Sequence, residues 1–177
     1  MPPLILLPPS EKKAPGGAGV PWHEAGQSFA ELDDARREVI AALEDAMGAP
    51  LETRTKLLGV GAANVDRATI ANRRVDTSPT LPAIERYTGV LYDALDADSL
   101  PARLRKRLDE QVVIFSGLWG AVRPTDPIPD YKLKMGAALP DLGKPSRCWK
   151  PHLTNALSAA ASGTVWDLLP NEHAVAW

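Results

Sequence analysis

The chain has 177 residues, of which 45% are hydrophobic and 24% charged, with a net charge of −2. Those values suit one globular domain with a buried core and exclude a polycation that binds nucleic acid by overall charge, so any such contact must be a local patch. The single cysteine, Cys148, excludes an intramolecular disulfide, and no apolar run approaches the ~20 residues of a membrane span, so a soluble cytoplasmic protein is expected.

Leu4–Leu7 reads as a short apolar strand stopped by Pro8 and Pro9, with Ser10-Glu11-Lys12-Lys13 at its carboxyl end. Residues 14–27 are rich in Gly, Pro and Ala and read as a mobile loop. The stretch from Ser28 to Met47 is the clearest helix. Ser28 and Glu31 have capping-box spacing, and Leu32, Ala35, Val39, Ala42, Leu43 and Ala46 make an apolar stripe. The opposite face is acidic, interrupted by Arg36 and Arg37. A short helix should end at Leu58, Gly59-Val60-Gly61 should make a tight turn, and a second helix should run from Ala62 to about Asn72.

Residues 80–85 read as helical or irregular, 87–92 as a strand or strand-to-helix turn, and 100–111 as a basic helix carrying Arg103, Arg105, Lys106 and Arg107. Val112–Phe115 is a β-branched apolar run that suits a buried strand. Residues 140–149 are expected to be loop, 151–161 a helix and 164–168 a short strand. Seventeen prolines favour many short elements and defined turns. Alternating strands and helices point to an α/β fold, a mixed sheet with flanking helices, spanning residues 1–177 as one domain. The chain closes soon after the apolar segment at Val165–Leu169, which suggests a short or truncated form.

Two segments carry chemistry. The first is the hairpin at about 53–74. Gly-apolar-Gly between two helices leaves backbone N–H groups bare for a phosphate, as a helix-hairpin-helix module requires. Gly59, Val60 and Gly61 would form the turn, and Asn64, Arg67, Arg73 and Arg74 would flank a DNA backbone held without sequence reading. A structural αα-turn with a glycine cap is the competing reading. The second is residues 112–136, where a buried strand hands over to mixed polar and aromatic residues, as strand ends do at sites. Arg123 would hold phosphate, Asp126 would orient it or act as acid/base, Tyr131 offers a hydroxyl, and Lys12 could join from the first strand's end. The competing reading makes Arg123–Asp126 an internal ion pair and Trp119 core. No metal-ligand spacing links His23, His152 and His173, and no nucleotide-loop or nucleophile-elbow motif occurs, so no metal and no cofactor is expected.

Together LLPPSEKK near the start, the GVG turn, RYTGVLYDALD at 86–96, FSGLWGAVRPTDPIPDYKLKMG at 115–136 and the Trp149 segment resemble the YaaA family of bacterial peroxide-stress proteins, in order and spacing. The resemblance implies resistance to peroxide, limited free iron and oxidative damage, and a helix-hairpin-helix that binds DNA. It also implies a cleft with an unsettled reaction, so the alternative is an enzyme acting on a nucleotide or damaged base around Arg123 and Asp126. The first strand's end would contribute Ser10 and Lys12 to that cleft, and the 86–96 motif would contribute Tyr87, Thr88, Gly89 and Tyr92. Ser116, Gly117, Trp119, Gly120, Arg123, Pro124, Asp126, Tyr131, Lys132, Met135 and Gly136 would come from the long motif. Three positions depart from the resemblance: Lys132 and Leu169 stand where arginines are usual, and His173 where a tyrosine is. A basic segment that follows in such proteins is absent here.

Overall fold

A computed structural model of the chain describes residues 2–161 and 163–177. Its centre is a four-stranded mixed sheet of order β4-β3-β1-β6, built from β1 (Leu4–Leu7), β3 (Val112–Ser116), β4 (Gly120–Val122) and β6 (Val165–Asp167). β1 pairs parallel with β3 and with β6, while β3 turns back into β4 as an antiparallel hairpin. All five residues of β3 are buried, as a strand covered on both faces requires. A second, two-stranded antiparallel ribbon joins β2 (Leu81–Pro82) to β5 (Pro127–Ile128).

Helices cover the sheet: α1 (Trp22–Ala25), α2 (Asp33–Ala46), α3 (Leu51–Leu58), α4 (Ala62–Arg73), α5 (Ala83–Arg86), α6 (Val90–Leu95), α7 (Ala102–Gln111), α8 (Pro145–Ala160) and α9 (Asn171–Ala174). The stripe read from α2 faces inward, with Leu32, Ala35, Val39, Leu43 and Ala46 buried and Ile40 added to it. The helix on either side of the glycine turn also lies where the spacing puts it. No helix among the described residues is long and apolar enough to cross a membrane.

Five local expectations change. Residues 14–27 contain α1, whose Trp22 is 3% exposed and donates its indole N–H to Asp76 at 2.9 Å, and Gly19 pairs with Thr80. Ser28 does not cap α2. Its backbone N–H and hydroxyl both go to Asp126, at 3.1 and 2.8 Å, and α2 starts at Asp33 after a 3-10 turn. Of the two readings of 87–92 the plain strand gives way to the strand-to-helix turn: residues 90–95 form a helix, because Gly89 at φ 104° breaks the extended chain immediately before it. The helix placed at 151 begins at Pro145, since proline at a first helical position gives up only a donor that has no partner there.

The fifth change is Arg36, which is fully buried rather than part of a solvated face. It donates to the Trp119, Ala121 and Ser28 carbonyls at 3.2, 2.8 and 3.0 Å and pairs with Asp33 at 2.7 Å. A forked cation thereby ties α2 to the β3–β4 hairpin. That hairpin turns at Gly120, with φ +70°, and a Cβ there would stand 2.7 Å from the Trp149 ring. Gly120→Ala should therefore lower unfolding free energy by roughly 2–4 kcal/mol, through a strained φ and a clash with a buried ring. Denaturant unfolding of the variant checks this.

Candidate functional site

Parallel pairing of β1, β3 and β6 brings three carboxyl ends to one edge of the sheet. Ser10–Lys13 leave β1 there, Ser116 ends β3, and residues 168–173 follow β6. Open α/β sheets bind ligands at such an edge. Here it opens into a basin of about 280 Å³. Lys12, Lys13 and Glu11 line one side, Asp130, Tyr131 and Lys132 another, and the α3–α4 turn with Asn64 and Arg67 the third. A smaller pocket of about 60 Å³ adjoins it, and Lys13 and Tyr131 line both.

The wall is fixed from three directions. Residues 12–14 run antiparallel to 86–88: Lys13 bridges to Tyr87, the Ala14 N–H donates to the Arg86 carbonyl at 2.8 Å, and the Thr88 N–H donates to Lys12 at 3.1 Å. The buried Arg86 guanidinium donates to the carbonyls of Ala14, Gly16 and Ile128. Residues 130–134 are held to α4 by Asn72, whose amide accepts from the Lys132 N–H at 2.7 Å and donates to its carbonyl at 2.9 Å. They also pass so close to Gly117 that a Cβ there would lie 2.9 Å from the Leu133 carbonyl.

Beneath Lys13 lies a chain of hydroxyls. Ser116 and Tyr131 are 2.7 Å apart, as are Tyr131 and Tyr87. Ser116 Oγ already accepts from the Leu118 and Trp119 N–H groups, at 3.2 and 3.1 Å, so its own proton is directed to Tyr131. Tyr131 then donates to Tyr87. Burial raises all three phenols nearby: Tyr87 is pushed up to about 12, and Tyr131 and Tyr92 stand well above the ordinary value, so each is neutral at physiological pH.

Charges around the basin divide into paired and unpaired. Glu11 holds Lys132 at 2.8 Å and Lys134 at 3.0 Å. Burial alone would raise the Glu11 carboxyl, but the two lysines outweigh it and the net shift is downward. Lys12, Lys13 and Arg67 have no carboxylate within ion-pair distance among the described residues. Lys13 Nζ donates to the Ser10 carbonyl at 3.1 Å and lies 4.2 Å from the Tyr131 ring centroid and 5.5 Å from that of Tyr87. Desolvation drives its ammonium down to about 7, against an opposing pull from Asp130. Among the described residues no group of three or more His, Cys, Asp or Glu side chains is placed to hold a metal ion.

The residues named from sequence fall into three groups. Lys12, Tyr131, Lys132, Gly59, Val60, Gly61, Asn64 and Arg67 line the basin, while Ser10 and Met135 line the smaller pocket with His173. Tyr87 and Ser116 support Tyr131 from below, and Gly89 backs the wall, since a Cβ there would come within 3.3 Å of Ser10 Oγ. The rest serve the fold. Tyr92 donates to the Pro8 carbonyl at 2.8 Å, Trp119 is fully buried, and Gly120 accommodates Trp149. Arg73 donates to the Met47 carbonyl at 2.7 Å, away from the basin, and the exposed Arg74 follows α4 at its far end.

Arg123 and Asp126 require a correction. The Arg123 guanidinium donates to the Glu110 and Val112 carbonyls, at 2.9 and 3.1 Å, and stacks on Phe29. Asp126 accepts from Ser28 and from the Arg123 backbone N–H at 2.7 Å. Asp126 is buried with its carboxylate satisfied, Arg123 is half-buried with Nη1 committed to two carbonyls, and neither lines the basin, so neither is placed for acid/base or phosphate work there. The titratable group sequence reasoning passed over is Lys13. Its signal was faint but present: in an extended segment alternate side chains face opposite ways, so of two adjacent lysines one must turn inward.

Fold and site together define a mixed-sheet α/β protein with a cation-rich basin, closed on one side by a glycine turn between two helices. Residues 4–177 match the family model described as Peroxide stress protein YaaA, and the chain belongs to that family. It is 42% identical over 176 residues to the UPF0246 protein SCO2297 of Streptomyces coelicolor, covering 98% of this chain and 67% of that protein. It is 44% identical over 137 residues to the UPF0246 protein Cgl1995/cg2186 of Corynebacterium glutamicum, covering 77% and 53% respectively. An uncharacterized Campylobacter jejuni protein, Cj0984, is 32% identical over 155 residues, covering 86% and 61%. The chain thus spans between about half and two thirds of the length of the curated relatives it matches.

Proposed function

We propose that this protein acts in peroxide stress by binding the DNA backbone without reading sequence, with the α3–α4 turn and the strand-end lysines forming one phosphate-binding surface. The observation that carries this reading is that Gly59–Gly61, Asn64 and Arg67 line the same open basin as Lys12 and Lys13. The first N–H groups of α4 have no acceptor within the helix, and Gly61 before them offers no side chain to cap them. A phosphate oxygen supplies that acceptor, and Lys12 and Arg67, which form no ion pair among the described residues, supply positive charge. The glycines keep the turn free of side chains where a backbone would approach. Protection of DNA at the phosphate surface is the route by which such binding would limit oxidative damage, and lowered free iron belongs to the same family-based reading.

The test is duplex binding at two salt concentrations for the wild type and for Lys12→Gln/Arg67→Gln. Wild-type log affinity should fall linearly with log salt, by about 0.9 per phosphate neutralised. The double variant should bind at least roughly tenfold more weakly at low salt, with a slope shallower by about 2. Salt-independent binding, or a variant that binds like the wild type, counts against the proposal.

A further inference from the structure

We propose that Lys13 is an amine nucleophile that forms an imine with an aldehydic sugar phosphate presented in the basin, the deoxyribose of an abasic or oxidised DNA site being its source. This deepens, and rests on, the DNA-binding reading above. Three geometric observations carry it. Lys13 is the lysine common to the basin and the adjoining pocket that has no ion pair among the described residues, whereas Lys132 and Lys134 on the same wall are both held by Glu11. Its amine is positioned from two sides, by the Ser10 carbonyl at 3.1 Å and the Tyr131 ring face at 4.2 Å, and its backbone is locked to Tyr87. Phosphate-binding groups stand across the same opening, so a sugar flanked by phosphates would bring its aldehyde toward Nζ.

Holding a lysine partly buried with no ion pair among the described residues costs stability, which a purely structural role does not offset. A desolvated amine is also the form that attacks carbonyls, and the depression of the Lys13 ammonium to about 7 leaves much of it neutral at physiological pH. The step balances without oxidant or reductant. The Nζ lone pair adds to the aldehyde carbon, forming the C–N bond, and the carbonyl oxygen takes a proton to give a carbinolamine. The C–O bond then breaks, and the oxygen leaves as water with the protons that nitrogen has lost. Asp130, which lines the same basin and acts electrostatically on Lys13, is the protein group in place to pass those protons.

Trapping with sodium cyanoborohydride tests this. The protein is incubated with a duplex carrying one abasic site, with the same duplex intact, and with free 2-deoxyribose 5-phosphate, and the adduct is located by peptide mass mapping. A covalent adduct on Lys13 is expected with the abasic duplex and none with the intact one. It should be lost in Lys13→Arg and retained in Lys106→Met, on an exposed helix face. If Lys13→Arg does not fold, the mapped position in the wild type decides. An Lys13 adduct with the free sugar phosphate but not the duplex upholds the amine chemistry and overturns the DNA reading. Binding of the intact duplex with no adduct on either aldehyde, or an adduct mapping to another lysine, overturns the nucleophile while leaving DNA binding standing.

Discussion

Replacing Arg86 by alanine should lower unfolding free energy by roughly 3–5 kcal/mol, among the largest losses from any single substitution in this chain. Arg86 is fully buried, and its guanidinium satisfies the carbonyls of Ala14, Gly16 and Ile128. Truncation leaves those acceptors desolvated and without donors, and each unsatisfied group costs about 1–3 kcal/mol. Arg86→Lys should recover only part of the loss, because an ammonium lacks the planar fork that reaches three carbonyls. The effect extends to the basin. Residues 14–16 follow directly on Lys13, so freeing them releases the segment that positions its amine. Denaturant midpoints of the three proteins measure the first effect. A loss within about 0.5 kcal/mol would show that water replaces the guanidinium without penalty.

Lys13→Met should act in the opposite direction, raising unfolding free energy at pH 7 by roughly 1–3 kcal/mol while removing the amine. Methionine keeps an apolar stem against the Tyr131 ring and carries no charge to desolvate. The pH dependence identifies the cause. In the unfolded chain the lysine titrates near 10.5, and in the folded protein near 7. Between those values the unfolded state holds more protons, so the wild type should grow more stable as pH rises from 7 toward 10 and lose that stability as pH falls back through 7. Above pH 10 the raised phenols of Tyr87 and Tyr131 reverse the trend, because there the folded state holds more protons. In Lys13→Met the rise between pH 7 and 10 should flatten. A flat wild-type profile with a destabilised variant would make Lys13 a structural cation.

These two residues show how much was legible in the sequence. Elements governed by local chemistry were readable: the proline-stopped strand Leu4–Leu7, the apolar stripe of α2, and the turn at Gly59–Gly61, where φ +60° at Gly59 favours glycine. That polar residues gather at the strand ends was also readable, because a strand's end is visible where an apolar run stops, yet of 112–136 only residues 130–135 line the basin and its adjoining pocket with Ser10–Lys13. What could not be read depends on partners distant in sequence. Arg36 sits in an acidic stretch, and only the Trp119 and Ala121 carbonyls make it a core residue. Arg123 and Asp126 have the composition of a site, yet Ser28, Glu110 and Val112 consume their bonds. Lys12 and Lys13 are identical by type, and the bridge to Tyr87 determines which one is enclosed.

The central claim is that the glycine turn and the end of β1 form one ligand surface. An amide NMR titration with an intact DNA duplex tests it most directly. Binding should shift the Val60–Asn64 and Glu11–Lys13 amides together, along one saturation curve, with the basic helix α7 unaffected. Shifts confined to Arg103–Arg107, or to the turn without Glu11–Lys13, would contradict it.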